Sequence, residues 1–79
     1  MIRLTKKSYA LLLKCLKSHN PQLIEQLIND ITFSADFYNE LRTAVGEELC
    51  EKGFNDGWEP NEYGIELEYL IDEIGRLFI

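Results

Sequence analysis

Apolar residues recur at helical spacing in four separate blocks of this chain, and no block alternates cleanly with a period of two. Each block must bury one stripe, so the chain is built to pack helices on helices, and a sheet is not its scaffold. The first block covers residues 6–18, with Tyr9, Leu12, Leu13 and Leu16 in the stripe and Thr5 placed to cap its start. His19-Asn20-Pro21 ends it and opens the next, because Asn suits a cap and Pro suits the first helical position. The second block, 21–31, carries Ile24, Leu27, Ile28 and Ile31. The third, 35–52, has Ser34 or Asp36 as its cap, and Phe37, Leu41, Val45 and Leu49 four apart with Ala44 beside them. The fourth, 62–77, follows Asn61 as cap and carries Tyr63, Leu67, Leu70, Ile71, Ile74 and Leu77 or Phe78. The expected fold is all-α, a compact four-helix domain over residues 1–79.

The punctuation between blocks is informative. Gly53 follows the third block, where a left-handed glycine at C′ with Phe54 at C″ against Leu49 would form a Schellman ending. Residues 55–60, Asn-Asp-Gly-Trp-Glu-Pro, form a turn-rich loop. Gly64 and Gly75 each weaken the last helix by about 1 kcal/mol relative to Ala, which implies a conformational need or a close packing contact.

A chain of 79 residues forms one domain with a limited core, so a tight partner or self-association would help it. Its apolar share of 46% and charged share of 28% argue against disorder as a description of the whole chain. Charge is divided unevenly. Residues 1–17 hold Arg3, Lys6, Lys7, Lys14 and Lys17 and no acidic residue, whereas all 14 acidic residues and three basic ones lie beyond. The net charge of −6 argues against general binding to a nucleic-acid backbone, which takes clustered Lys and Arg. The longest apolar run, at residues 9–13, is far short of the about 20 residues needed to span a bilayer, so no membrane association is expected. Lys14 interrupts that run and no small-residue cleavage site follows, so it does not read as a signal peptide, and a cytoplasmic protein is expected. Cys15 and Cys50 both fall within helical blocks, which suits buried reduced thiols. Two cysteines 35 apart and a single His form no zinc signature, so neither metal nor cofactor is expected.

Catalytic chemistry finds no foothold. His19 stands at a helix end, where a cation interacts favourably with the last carbonyls, and no nucleophile shares its segment. Ser8, Ser18 and Ser34 lack an elbow motif, and there is no phosphate-binding glycine loop. Asp56 and Gly57 invite an EF-hand comparison, but Trp58 falls where a ligand would be needed. In the last helix Glu62 and Glu66 stand four apart and Glu73 seven further on, with Glu68 and Asp72 as a second i, i+4 pair. No His accompanies them at the spacing of a dimetal site. Like charges at i, i+4 repel by a few tenths of a kcal/mol. No Lys or Arg lies between Asn55 and Gly75 to relieve them, so a basic partner or the basic first helix is the natural counterweight. Trp58 next to Glu59 fits an interface anchor with a charged rim, and it also fits a residue closing the bottom of a small core.

Phe37-Tyr-Asn-Glu-Leu-Arg-Thr-Ala-Val45, Lys52-Gly-Phe54 and Glu59-Pro-Asn-Glu-Tyr-Gly-Ile-Glu-Leu-Glu-Tyr-Leu-Ile-Asp72 together resemble a family of small bacterial helical proteins of unassigned activity. The Glu-Tyr-Gly-x-x-Leu-Glu-x-Leu-x-Asp pattern from Glu62 to Asp72 is also similar to small helical immunity proteins made beside polymorphic toxins. The resemblance covers roughly the C-terminal half and implies an inhibitor of a cognate toxin, with no catalytic residues. The expectation is therefore a binding protein and not an enzyme. Trp58, Glu59, Glu62, Glu66 and Glu73 would meet a basic surface on a protein partner such as a toxin domain. The alternative is a small homo-oligomeric adaptor or regulator, in which the basic first helix of one copy pairs with the acidic last helix of another.

Overall fold

The structure, a computed structural model, describes residues 4–29 and 34–77. Among these it has four helices: α1 (Lys6–His19), α2 (Gln22–Asn29), α3 (Ala35–Lys52) and α4 (Glu62–Leu77). The all-α, four-helix expectation holds. The helix starts follow local chemistry. Thr5 Oγ1 accepts the Ser8 N–H at 3.1 Å, and Ser34 Oγ accepts the Phe37 N–H at 3.1 Å, so Ser34 and not Asp36 caps α3. Asn61 Oδ1 accepts the Gly64 N–H at 2.7 Å at the start of α4. Asn20 ends α1 by donating its N–H to the Leu16 carbonyl at 2.8 Å.

Helix α3 is the central element. It packs against both α4 and α1, while α2 leans on α1. Leu12, Cys15 and Leu16 of α1 meet Phe37, Leu41, Ala44 and Val45 of α3 and Leu67, Leu70 and Ile74 of α4 in one core. Full burial of each large side chain stabilises by about 1.5–3 kcal/mol. Two stripes differ from expectation. In α1, Tyr9 and Leu13 are only partly buried, and Cys15 takes the interior position. In α2 the buried line is Leu23 and Leu27, and Ile28 is 63% exposed. Helix α2 has only two turns and leans mainly on α1, so it buries one narrow i, i+4 line. Ile31 and Phe78 lie outside the described residues.

The glycines are used differently from the expected Schellman ending. Gly53 has φ −89° and ψ −4°, in the right-handed region, and donates its N–H to the Leu49 carbonyl at 2.8 Å. The ring that meets Phe54 is that of Trp58, edge-on at 5.8 Å. Crowding is what excludes a side chain at Gly53. A Cβ there would stand 2.7 Å from Leu49 O and 3.1 Å from Gly64 Cα. A Cβ on Gly64 would run into the Gly53 carbonyl oxygen and lie 2.9 Å from its carbon. The two glycines form a backbone-to-backbone contact that lets the end of α3 meet the start of α4. Gly75 has open space around it and makes no such contact.

Cys15 is buried, as expected, whereas Cys50 is exposed on the outer side of α3, and both are free thiols. Burial, reinforced by the nearby Glu48 charge, pushes the Cys15 thiol up to about 11. Iodoacetamide at neutral pH is therefore expected to modify Cys50 in the folded protein and Cys15 only after denaturation. Peptide mapping by mass spectrometry checks this, and equal labelling of both thiols in the native state would contradict the assignment.

Candidate functional site

The loop between α3 and α4 is a short hairpin held by backbone hydrogen bonds. Asn55 N–H donates to the Glu59 carbonyl at 2.8 Å, and Trp58 N–H donates to Asn55 at 3.1 Å. A β-bridge joins Phe54 to Pro60. Gly57 at φ +85° supplies the positive φ of the turn. Trp58 follows at φ +65°, a region that costs a bulky side chain on the order of 1–2 kcal/mol. Trp58 is 77% exposed, so the reading in which it closes the core is overturned. The backbone instead turns the largest side chain in the protein outward, where with Phe54, Cys50 and Asp56 it lines a shallow recess. The positive φ lets the Trp58 N–H close the turn on Asn55, and the side chain it carries outward keeps a ring contact with Phe54.

Asn61 secures the base of the hairpin. Its Nδ2 donates to the Lys52 carbonyl at 2.9 Å, its Oδ1 takes the Gly64 N–H at 2.7 Å, and its own N–H donates to the Gly53 carbonyl at 2.8 Å. One residue thus closes α3 and opens α4.

The five residues singled out for partner binding fall into two groups. Trp58 and Glu59 lie on the hairpin and Glu62 in the first turn of α4, all exposed at one end of the molecule. Glu66 and Glu73 lie on the side of α4 that faces α1. Lys7 Nζ stands 3.2 Å from Glu66, and Ser8 Oγ donates to Glu73 at 2.7 Å. Lys14 Nζ sits 4.6 Å from the centre of the Tyr63 ring. The basic first helix therefore relieves part of the repulsion along α4 within one chain. Glu59, next to Trp58 in the chain, and Glu62 have no ion pair among those the structure shows, and both are exposed.

A second constellation escaped the sequence reading. Glu48 is fully buried, with 0% exposure. Tyr63 donates its hydroxyl to Glu48 Oε2 at 2.6 Å, and His19 Nε2 lies 3.0 Å from Glu48 Oε1. Burial alone would raise the Glu48 carboxyl; the hydrogen bonds from Tyr63 and His19, with Lys52 4.0 Å away, outweigh it and hold the pKa below the ordinary carboxylate value. Tyr63 is pushed in the opposite direction, by its own burial first and then by the carboxylate it donates to. His19 is more than a local helix-end cation: its side chain is 7% exposed, and Nδ1 also lies 3.3 Å from Glu47 and Nε2 3.5 Å from Glu51. One signal could have disclosed Glu48, since it continues the apolar line Leu41, Ala44, Val45 at i+7, i+4 and i+3. A glutamate in that register has to be paired.

Among the described residues, no helix is long and apolar enough to cross a membrane. Compared with known proteins, the chain matches no family model, no curated protein and no solved structure.

Proposed function

We propose that this chain is a binding protein that neutralises a basic protein partner, in the manner of an immunity protein or antitoxin, and that Trp58 is its anchor. The observation carrying this reading is the strained, exposed conformation of Trp58 on a hairpin that Asn61 fastens to two helices. Tryptophan is the side chain most often found at binding hot spots, and a rigid backbone removes the entropy that ordering a loop would cost. Glu59 and Glu62 supply the acidic charge that steers a basic surface toward it. Glu66 and Glu73 serve mainly to join α4 to α1, which supports an intramolecular use of the basic first helix over pairing between copies.

The test starts from a pull-down of a basic protein from the native cell, identified by mass spectrometry, followed by kinetics with the purified partner. Trp58→Ala is expected to raise the dissociation rate by about thirtyfold, the size of a hot-spot truncation. Glu59→Lys with Glu62→Lys is expected to lower the association rate and to flatten its salt dependence. Circular dichroism checks that both variants keep the helical fold. Binding that is indifferent to both changes removes the proposal. Light scattering addresses the homo-oligomeric alternative, which requires a concentration-dependent mass that the charge reversal lowers.

A further inference from the structure

We propose that His19, Glu48 and Glu51 form a binding site for a divalent transition-metal ion of the zinc class. The three donors come from the end of α1 and the last turns of α3, and their ligand atoms lie within 4.8 Å of one another. Sequence spacing offered no ground for such a site, because His19 is 29 residues from Glu48 and reaches it only through the packing of α1 on α3. The two separations from the imidazole suit a small tetrahedral centre. Bonds of about 2.0–2.1 Å to nitrogen and oxygen place adjacent ligands roughly 3.3 Å apart. The separations from His19 Nε2 are 3.0 Å to Glu48 and 3.5 Å to Glu51, on either side of that value. The Glu51 side chain is 62% exposed, so it is free to turn inward and leaves a position open to water.

The surroundings have the composition of a metal site's outer shell. Glu47 lies 3.3 Å from Nδ1, the nitrogen that faces away from the other two carboxylates. An ion that displaces the proton between Nε2 and Glu48 would leave the remaining ring proton at Nδ1, held by Glu47, the arrangement by which carboxylates orient metal-binding imidazoles. Tyr63 occupies the second oxygen of Glu48 and fixes the rotation of the carboxylate. Charge adds an independent reason. Three carboxylates converge on one imidazole, and the further cation near them is Lys52, 4.0 Å from Glu48 and exposed. A divalent ion would balance that excess of carboxylates.

The experiment uses the full chain, reduced and freed of metal by a chelator, with Zn2+ alone as the probe. Calorimetry is expected to show saturable uptake of one ion per chain. The protein has a single histidine, so nitrogen-detected imidazole spectra report His19 directly, and Nε2 is expected to shift on Zn2+ addition. Glu51→Gln, at an exposed position that the fold tolerates, is expected to weaken binding at least about tenfold, and Glu47→Gln by a similar factor. Glu68→Gln, on the exposed side of α4, is the control and is expected to leave affinity unchanged. Absence of saturable uptake, uptake that leaves the His19 ring unmoved, or uptake that survives Glu51→Gln but is lost in Cys50→Ser overturns the proposal.

Discussion

Gly64→Ala is expected to destabilise the protein by about 2–3 kcal/mol, as overpacking of a rigid contact does. The new methyl group would meet the Gly53 carbonyl, which is backbone and has no rotamer to yield. That carbonyl is also held by the Asn61 N–H at 2.8 Å, so moving it breaks the corner between α3 and α4. Gly46→Ala provides a comparison of opposite sign. Gly46 lies inside α3 with nothing within 4 Å of its would-be Cβ, so the change is expected to stabilise by about 0.5–1 kcal/mol through helix propensity. Urea denaturation midpoints for the two variants should therefore move in opposite directions. A Gly64→Ala midpoint equal to that of the parent would show that the two helix ends do not touch as described.

Glu48→Ala is expected to be the most damaging single change, with a loss of about 3–5 kcal/mol, the range for removing one partner from a buried ionic cluster. It leaves the Tyr63 hydroxyl and His19 without their shared acceptor and opens a void under α4. Glu48→Gln keeps the shape and still accepts from Tyr63, so a smaller loss of about 1–2 kcal/mol is expected. Tyr63→Phe in the parent should cost about 1.5–3 kcal/mol, as for a hydrogen bond to a charged group, and much less once Glu48 is Ala. Chemical denaturation of the four proteins in the presence of a chelator gives the coupling energy directly. A coupling near zero would mean that the 2.6 Å contact is of no energetic consequence.

These two sites mark where the fold was legible and where it was not. The caps Thr5, Ser34 and Asn61 could be read from the chain because a cap is settled within three residues. The central stripe Phe37, Leu41, Val45 was legible because a long helix repeats its period often enough to define a face. Helix α2 is too short for that. Leu23 with Leu27 and Ile24 with Ile28 have the same spacing, and only the neighbouring α1 decides between them. Gly53 was recognised as a helix end, but its reason lies in Gly64, eleven residues on, and no local rule contains that contact. At the candidate surface, the acidic character of α4 was plain from composition. The diversion of Glu66 and Glu73 to Lys7 and Ser8 depends on how α1 crosses α4. Glu48 was missed because glutamate is read as a solvent residue until its register in the helix is given equal weight.

The double role of Asn61 has a thermodynamic consequence. Helix ends ordinarily fray on their own, and a surface loop opens without disturbing what it connects. Here the amide that stops α3 also starts α4, so neither end can fray without releasing the other, and the hairpin opens only with both. Trp58 is carried on that hairpin. Free energy gained by a partner seated on the indole is therefore added to the unfolding free energy of the whole α3–α4 corner, including the Gly53–Gly64 contact and the buried Glu48 beneath it. An occupied tip would act as a remote clasp on the core.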